Sequence, residues 1–481
     1  MRKIKWSRMI CTAIAISMLT GILAGCQKKP EEQVTINPME AKQSNAISFD
    51  FIGGKDVMPI GGYYGPYLSR DGEAAQTPPD YNSEEFWQMI AECGLNLVSY
   101  SRMNYGDYPD QVVDALKKAE KYKIASVVYD YRLIQMALDN NTTLADVTER
   151  VSNYMHYPAF AGVYLVDEPG TSFFGASSNK ERRVETYESI AAMLNQEIGL
   201  FTYTNAHPSG TDETLFKNYE RYIREFCRVL QPRYLSFDRY PFDRQQEGYM
   251  DRYFYDLSVV RKVAKENNLP FWTYIQAGSQ WTDTSGKERF DSDGYYPNEG
   301  EFDWNVNVAL AFGTQGINYF PIIQPYYFAY AESTPFDFER NGLIGAWGNK
   351  NRWYYYAQDM NKHIRAIDEV LMNSVNEGVL VSGEQATKDM KLAKDNNVLL
   401  EGTSWRELKS VTGDAMIGCF NYQGRTALYV VNYSTEYAQK VDLTFHDSYD
   451  WTMVQQAETK KFTGSDVRLD MLPGEGILLV F

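Results

Sequence analysis

The sequence predicts an α/β fold, with a (β/α)8 TIM barrel over residues 51–375 followed by a C-terminal antiparallel β-sandwich-like domain over residues 376–481. Short apolar runs alternate eight times with amphipathic segments, and strands that alternate with helices indicate a parallel sheet. The length of this region fits a barrel, which takes roughly 200 to 400 residues. From Asn376 onward the runs become short and alternating, which is typical of antiparallel strands. An open doubly wound sheet is the rival architecture, but no G-x-G-x-x-G or phosphate loop follows the first strand.

The individual elements are predicted from apolar runs and from helical periodicity. The barrel strands are predicted at Val57–Tyr63, Asn96–Ser101, Ile124–Asp130, Ala161–Val166, Gly199–Thr204, Tyr234–Phe237, Pro270–Gln276 and Gly316–Ile322. The helices are predicted at Ser83–Cys93, Asp110–Tyr122, Asn179–Gln196, Glu213–Leu230, Tyr253–Asn267, Trp304–Phe312 and Arg352–Met372. The later strands are predicted at Gly378–Val381, Ala415–Phe420, Ala427–Tyr433, Lys440–Phe445 and Gly476–Phe481.

The N-terminus has the pattern of a secretory signal and is excluded from the fold. A basic start is followed by a mostly apolar stretch from Met9 to Ile22, which is short for a spanning helix of about 20 residues. The next four residues, Leu23-Ala24-Gly25-Cys26, resemble a bacterial lipobox. The resemblance implies removal of residues 1–25, lipid on Cys26 and an extracytoplasmic protein anchored to the bacterial cell membrane. Residues 26–50 are polar and predict a flexible tether; a retained N-terminal anchor helix is the alternative.

Charge and cysteine content limit the classes of partner. Loss of residues 1–25 removes four basic residues and no acidic ones, which changes the formal net charge from −16 to −20. Such a surface disfavours nucleic acid and phosphate-rich partners. The remaining Cys93, Cys227 and Cys419 lie far apart and show no metal-site or disulfide spacing. They are interpreted as small buried side chains.

The fourth predicted strand ends in two adjacent carboxylates, Asp167 and Glu168, followed by Pro169. Acids at the end of a buried strand are costly unless they are hydrogen-bonded or used in chemistry. Because strand side chains alternate, the two carboxylates are expected to leave the strand in different directions. The alternative is a helix start with Asp167 as the N-cap and Pro169 in the first turn.

In a parallel barrel the reactive groups lie at the C-terminal ends of the strands. The predicted strand ends are rich in carboxylates, amides and aromatic rings, a combination that suits sugar rings with one apolar face and a rim of hydroxyls. Asp238 is a third candidate carboxylate beside Asp167 and Glu168. The candidate substrate-binding residues are Tyr63, Tyr64, Asn205, His207, Tyr240, Trp272, Tyr274, Gln276 and Tyr319.

Three stretches resemble bacterial TIM-barrel glycoside hydrolases, and in particular secreted β-galactosidase-like proteins. They are Val166-Asp167-Glu168-Pro169, Phe237-Asp238-Arg239-Tyr240-Pro241-Phe242 and residues 309–320, ALAFGTQGINYF. The resemblance covers Val57 to Met372 and is moderately specific for the superfamily. It implies that the strand-four glutamate, here Glu168, is the general acid/base and that the substrate is a carbohydrate.

The chain departs from that family pattern at strand seven, where a nucleophilic glutamate is usual and Gln276 stands instead. Three explanations remain open. The first is a substrate-assisted reaction, as in the hexosaminidases that this chain resembles in its adjacent Asp167 and Glu168. The second is a Glu168–Asp238 pair, whose separation would distinguish retention at about 5–5.5 Å from inversion at about 6.5–9.5 Å. The third is a barrel that binds sugar without cleaving it.

Several candidate residues also have structural interpretations. Asp238 could pair with Arg239, Asp130 could pair with Arg132, and Trp272 could be core rather than pocket wall. His207 could simply hold a turn. The sequence contains no H-E-x-x-H and no G-x-S-x-G motif, so we predict neither a metal, nor a cofactor, nor a serine nucleophile.

These observations predict a lipid-anchored glycoside hydrolase that acts on an extracellular glycan, with Glu168 as general acid/base and Asp167 or Asp238 as partner carboxylate. The alternative from another class is a glycan-binding surface lipoprotein on a barrel that has lost catalysis.

Overall fold

The computed structural model of the chain describes residues 49–67, 79–172, 179–209, 213–242, 249–278, 296–325, 341–396 and 398–481. The predicted signal segment, Cys26 and most of the tether lie outside these residues. Across the described ranges, no helix is long and apolar enough to cross a membrane.

Eight parallel strands form two half-barrels, and each strand overlaps a predicted run. One sheet has the order β2 (Leu97–Val98), β3 (Ala125–Tyr129), β4 (Phe160–Asp167) and β5 (Thr202–Asn205). The other has the order β1 (Ile60–Gly62), β8 (Ile317–Phe320), β7 (Phe271–Gln276) and β6 (Leu235–Phe237).

Backbone hydrogen bonds link the outer strands of the two half-barrels. Next to β1 and β2, the amides of Asn96 and Ser99 donate to the carbonyls of Ile60 and Gly62 at 2.9 and 3.0 Å. Next to β5 and β6, the amide of Ala206 donates to the carbonyl of Ser236 at 2.8 Å. The two sheets therefore meet at both of their edges.

The helices lie outside the sheets and bury the outward faces of the strands in one large apolar core. Those before β6 are α1 (Glu84–Glu92), α2 (Pro109–Lys121), α3 (Tyr131–Leu138), α4 (Leu144–Ser152), α5 (Glu188–Ala192), α6 (Glu213–Lys217) and α7 (Tyr219–Leu230). Those after it are α8 (Tyr249–Glu266), α9 (Glu299–Ala311), α10 (Arg352–Met372) and α11 (Glu384–Asp389).

The predicted helix over residues 179–196 is irregular. Two 3-10 turns, Lys180–Arg182 and Val184–Tyr187, precede α5, and the π-helical segment Met193–Ile198 follows it. Shorter 3-10 turns lie at Asp50–Ile52, Gly54–Asp56 and Lys391–Asn396.

Aromatic side chains fill the space between the half-barrels. Phe201, Tyr234 and Trp272 are buried together, and Phe49 covers them with its ring 5.4 Å from that of Phe201. These four residues precede or begin their strands, so the layer lies toward the amino ends, away from Asp167 at the end of β4.

The C-terminal strands form one antiparallel sheet with the order β10-β13-β15-β12-β11-β9, and β14 pairs with β13. The first half of β13 pairs with β10 and the second half with β15, so the sheet curls around an apolar core of its own. The strands are β9 (Ser374–Ser382), β10 (Leu408–Thr412), β11 (Ala415–Tyr422), β12 (Arg425–Asn432), β13 (Gln439–Gln455), β14 (Glu458–Met471) and β15 (Gly476–Val480).

The sheet packs against the helices of the parallel region. Asn307 of α9 donates to the carbonyl of Gly474 at 2.8 Å and accepts from the hydroxyl of Tyr429 at 2.6 Å. Cys93, Cys227 and Cys419 are buried free thiols, which confirms the interpretation of these three residues.

Candidate functional site

A register irregularity in β4 turns Asp167 toward the inside of the strands. The pairing of β4 with β5 shifts between Tyr164 and Val166, and both Leu165 and Val166 face the helices. Such a bulge re-aims the side chains that follow it. Tyr164 and Asp167 therefore both face inward, although simple alternation would place them on opposite faces.

Two tyrosine hydroxyls hold the Asp167 carboxylate. Tyr203 on β5 donates to Oδ1 at 3.2 Å, and Tyr63, directly after β1, donates to Oδ2 at 3.3 Å. Each hydroxyl also contacts a second tyrosine, since Tyr203 lies 2.6 Å from the hydroxyl of Tyr274 and Tyr63 lies 3.3 Å from that of Tyr164. The strand-four aspartate is thus held directly by hydroxyls from β5 and from the end of β1, and indirectly by Tyr274 of β7.

Glu168 follows in a left-handed conformation with φ of 46°. Its amide donates to the carbonyl of Asn205 at 2.9 Å, and its side chain is exposed. Asp167 belongs to β4 and residues 168–171 are not helical, so the alternative of a helix N-cap at Asp167 is wrong. Positive φ is uncommon for a residue other than glycine, and strained backbone of this kind clusters at functional sites.

Asp238, directly after β6, completes a cluster of three carboxyl groups. Its Oδ1 accepts from the amide of Asn205 at 2.7 Å, and Asn205 in turn accepts from the hydroxyl of Ser236 at 2.8 Å. The carboxyl groups of Asp238 and Glu168 are within hydrogen-bonding contact. Arg239 lies 3.9 Å from the buried Asp256, which favours that partner over the alternative of an Asp238–Arg239 pair.

The crowding of these groups raises all three pKa values. Desolvation, followed by repulsion from Asp238, raises the pKa of Asp167 to about 7. Although Glu168 is exposed, the protein around its carboxyl displaces enough water, and Asp167 lies close enough, to raise its pKa to about 7. Burial and the charge of Glu168 raise the pKa of Asp238 well above its ordinary value. The cluster therefore retains protons near neutral pH.

Aromatic rings from β1, β2, β6 and β8 stand across from these acids. Phe320 lies 6.0 Å from Tyr63, 5.9 Å from Tyr64 and 5.7 Å from Tyr240. Tyr100 stacks on Tyr63 at 4.4 Å. We call this set, Tyr63, Tyr64, Tyr100, Tyr240 and Phe320, the aromatic wall. Its members are partly exposed, and Tyr64 and Tyr240 lie near enough to Asp167 for their pKa values to respond to its charge.

Tyr319 does not lie in the site. Its hydroxyl donates to Asn361 of α10 at 2.7 Å, and its ring stacks on Phe302 of α9. Because strand side chains alternate, the neighbouring Phe320 faces inward instead. The prediction that Tyr319 lies in the site is therefore wrong, and Phe320 stands in its place.

Two further predicted site residues make structural contacts instead. The side-chain amide of Gln276 donates to the carbonyl of Phe242 at 3.1 Å and accepts from the amide of Phe242 at 3.2 Å, which ties β7 to the loop after β6. Trp272 is buried in the aromatic layer, with its ring 4.4 Å from that of Tyr234. Trp272 is thus a core residue, and the prediction that it contacts substrate is wrong.

His207 and Asp130 also have structural contacts. The amide of His207 donates to Tyr222, its ring Nδ1 lies 2.6 Å from the carbonyl of Pro208, and its imidazole is near enough to Asp238 to oppose the rise in that pKa. Asp130 accepts from Arg150 at 2.6 and 2.8 Å. The predicted Asp130–Arg132 pair is wrong, because Arg132 contacts Asp130 only through its backbone amide.

The structure therefore brings together most of the predicted site residues: Asp167, Glu168, Asp238, Tyr63, Tyr64, Asn205, His207, Tyr240 and Tyr274. Sequence reasoning missed Tyr164 and Tyr203, which lie within predicted strands and whose inward direction follows only from the register. Chemically, the site offers an accessible acid, a proton shared with a second acid, an anchored third acid and an apolar wall.

No family model matches this chain, and no curated protein matches it. Solved structures that it resembles include a β-galactosidase from the psychrophilic Marinomonas ef1, at 11% identity and a TM-score of 0.48 over 70% of this chain and 65% of that one. Another is a family 51 α-L-arabinofuranosidase from Bifidobacterium longum, at 10% identity and a TM-score of 0.44 over 89% and 96% of the two chains. The third is a glucosidase from Croceicoccus marinus, at 9% identity and a TM-score of 0.43 over 88% and 95%.

These structural neighbours are glycoside hydrolases with barrel folds. The chain spans less than two thirds of the length of the β-galactosidase. Since the identities are low and the TM-scores lie below 0.5, the function proposed below depends on the geometry of the site.

Proposed function

We propose that this chain is a glycoside hydrolase in which Glu168 donates the proton to the glycosidic oxygen. The observation that carries the proposal is the cluster of three carboxyl groups, Asp167, Glu168 and Asp238, which faces an aromatic wall at the carboxyl ends of the parallel strands. Glycoside hydrolysis requires paired carboxyl groups, one of them protonated at the working pH.

Glu168 is the member of the cluster that can reach a substrate, because its side chain is exposed while Asp167 and Asp238 are partly buried. Its contact with Asp238 requires a proton between the two groups, since two ionised carboxylates would repel. The raised pKa values mean that this proton is retained near neutral pH. Glu168 therefore has a proton to give where an isolated glutamate would have lost it.

Asp167 is the proposed partner carboxylate. The hydrogen-bonding contact between Glu168 and Asp238 is shorter than the separation of about 5 Å or more that leaves room for a sugar between two acids. These two acids therefore act as a proton-sharing pair, and the anchored Asp167 supplies the fixed negative charge. That charge can stabilise a developing positive charge on the sugar or orient an attacking group of the substrate.

The aromatic wall gives the reason for a carbohydrate substrate. A sugar ring placed between the wall and the acids would set its apolar face against Phe320 and Tyr64 and its hydroxyls toward Asp167 and Asn205. Large aromatic faces contribute much of the binding energy at such sites without demanding one hydrogen-bond pattern. The wall therefore favours a ring substrate but does not select one sugar.

The scaffold and location are part of the same proposal. The hydrogen bonds at both junctions of the half-barrels support a closed (β/α)8 barrel with its site at the carboxyl ends of the strands. The lipobox-like Leu23-Ala24-Gly25-Cys26 supports an extracytoplasmic protein anchored by lipid on Cys26. Replacement of Cys26 by serine is expected to move the protein from the membrane fraction to the soluble fraction.

A panel of aryl glycosides, including N-acetylhexosaminides, tests the activity. We expect turnover of at least one substrate and a loss of about 10²–10⁴-fold in Glu168→Gln. Glu181→Gln is the matched control, since Glu181 is another glutamate after β4, and its carboxylate accepts from Tyr131 at 3.1 Å. Activity that survives in Glu168→Gln contradicts the assignment of the proton donor.

The second candidate function is glycan binding without hydrolysis. Gln276 favours it, because both ends of its side-chain amide are hydrogen-bonded to Phe242, and the described residues 276–278 at the end of β7 include no carboxylate. Under that alternative, calorimetry would detect oligosaccharide binding that persists in Glu168→Gln, and no substrate of the panel would be cleaved.

A further inference from the structure

We propose that two tyrosine pairs, Tyr203–Tyr274 and Tyr63–Tyr164, converge on Asp167 and hold it as the ionised carboxylate of the site while Glu168 and Asp238 keep the proton. The four tyrosines are positioning residues, because they act on Asp167 and do not themselves take part in the chemistry. The inference deepens the proposed hydrolase function and rests on it for its consequence, but not for its test.

The hydrogen-bond geometry supplies the first step. A phenol has one proton to donate, and Tyr203 and Tyr63 each contact both Asp167 and another hydroxyl. If both donate to Asp167, then Tyr274 and Tyr164 can donate to them in turn. Both chains of hydroxyls then point toward the same carboxylate, and every proton in them is used.

The opposite arrangement reverses one of the two chains of hydroxyls. A protonated Asp167 donates to one of the two tyrosines and accepts from the other, so only one chain still points toward it. An ionised Asp167 accepts from both, one on each oxygen. Hydrogen bonds to a charged acceptor are the stronger kind, and chains of them reinforce one another.

The strand positions explain why four tyrosines can reach one carboxylate. Tyr164 and Tyr203 are register partners on β4 and β5, and their rings stack at 5.1 Å with 12° between the planes. Tyr274 reaches across from β7, and Tyr63 from the end of β1. The β4 bulge then places Asp167 above the stacked rings, on the same inward face.

The consequence is that the three acids differ in protonation state: Asp167 is ionised, and Glu168 and Asp238 share a proton. Hydrogen bonds from Tyr203, Tyr63 and Asn205 lower the pKa of Asp167 against the effects of burial and of Asp238. Among the described residues no tyrosine hydroxyl donates to the Glu168–Asp238 pair, and we assign the proton to this pair. Other titratable groups also face Asp167 and its partners: Tyr64, Tyr100, Tyr222, Tyr234, Tyr240 and, beside Asp238, His207.

Infrared spectroscopy of the full chain tests the inference without any substrate. The difference between wild type and Asp167→Asn at pH 8 should show the loss of an ionised carboxylate. In Tyr203→Phe the pH at which that band titrates should rise by about one unit, as expected for loss of one hydrogen bond to the charged form. Tyr274→Phe should shift it in the same direction by less, because its effect passes through Tyr203.

Tyr319→Phe is the matched control. It also removes a buried hydroxyl with a 2.7 Å hydrogen bond, but on the outward face of β8, so the Asp167 titration should not move. The inference is overturned if Tyr203→Phe leaves that titration unchanged or lowers it, or if Asp167 is protonated at pH 8. These readouts hold whether or not any glycoside is cleaved. If hydrolysis is found, the acidic limb of its pH profile should move upward in Tyr203→Phe but not in Tyr319→Phe.

Discussion

Glu168 has two features that each lower the stability of the folded protein. It occupies the left-handed region with φ of 46°, and its carboxyl lies beside Asp167 and in contact with Asp238. Asparagine tolerates this backbone conformation well and carries no charge. Glu168→Asn is therefore expected to increase the free energy of unfolding by about 1 kcal/mol while abolishing hydrolysis, measured by urea denaturation and by the glycoside panel.

Gln231→Asn is a suitable control for that experiment. Gln231 also has a positive φ, at 44°, but it lies at the end of α7 away from the acids. Gln231→Asn should increase the free energy of unfolding only through relief of the backbone conformation, and it should leave activity unchanged. A Glu168→Asn protein that is less stable than wild type would show that the conformation is not strained.

The raised pKa values predict how stability depends on pH. The folded state holds a proton on Glu168 up to about pH 7, whereas the unfolded chain loses it near pH 4. Stability from this group is therefore complete below about pH 4 and is lost as the pH rises to about 7. Urea denaturation should give a higher midpoint at pH 5 than at pH 8, and Glu168→Gln should reduce that difference. A difference of the opposite sign that the variant leaves unchanged would show that other groups dominate.

Sequence reasoning succeeded for residues whose position follows from strand ends and failed where it follows from register. Asp167, Glu168 and Asp238 stand directly at or after predicted strands, so their meeting could be predicted. The inward face of Asp167 and Tyr164 depends on a bulge that leaves no mark in the sequence. Phe320 could have been chosen over Tyr319 only with the exact boundary of β8.

Helix α9 is the element that joins the parallel region to the C-terminal sheet. Both ends of the buried Asn307 amide are used there, one by Gly474 and the other by Tyr429. Asn307→Ala leaves these partners without their bonds inside the protein, and we expect a loss of about 2 kcal/mol in the free energy of unfolding. Calorimetry or urea denaturation of wild type and Asn307→Ala measures this loss.

Asn153→Ala provides the comparison for α9. Asn153 is exposed at the end of α4, and its amide bonds only to carbonyls of that helix. Its replacement should cost less than about 0.5 kcal/mol. Equal losses in the two variants would mean that the contact between α9 and the sheet contributes little.

Element prediction succeeded for strongly apolar runs, and all eight parallel strands were located because both of their faces are buried. It failed for α3 and α4, since their short patterns lie within the connection between β3 and β4. It also missed β10 and β14, whose many polar residues reflect positions at the edge of the curled sheet. The helix over residues 179–196 was predicted as regular because periodicity does not reveal the 3-10 and π segments.

Across the whole chain, the predicted boundary at residue 375 marks a change of architecture rather than a gap in packing. The large apolar core that lies under the helices also contains Met416, Phe420, Tyr429 and Leu478 of the C-terminal sheet. Arg261 of α8 adds a polar link, with its guanidinium 3.0 Å from the side-chain oxygen of Asn376. Removal of the sheet would expose these apolar surfaces on the helices.

The two regions are therefore expected to unfold in one cooperative transition. Hydrogen exchange followed by mass spectrometry, in increasing urea, should show peptides of β3 and β7 losing protection at the same denaturant concentration as peptides of β11 and β12. Asn307→Ala should lower both midpoints together, because it weakens the contact on which both regions depend. If the sheet peptides lose protection first while β3 and β7 stay protected, the parallel region folds by itself. In that case the shared core would be an interface between two independent units, and Asn307→Ala should destabilise only the sheet.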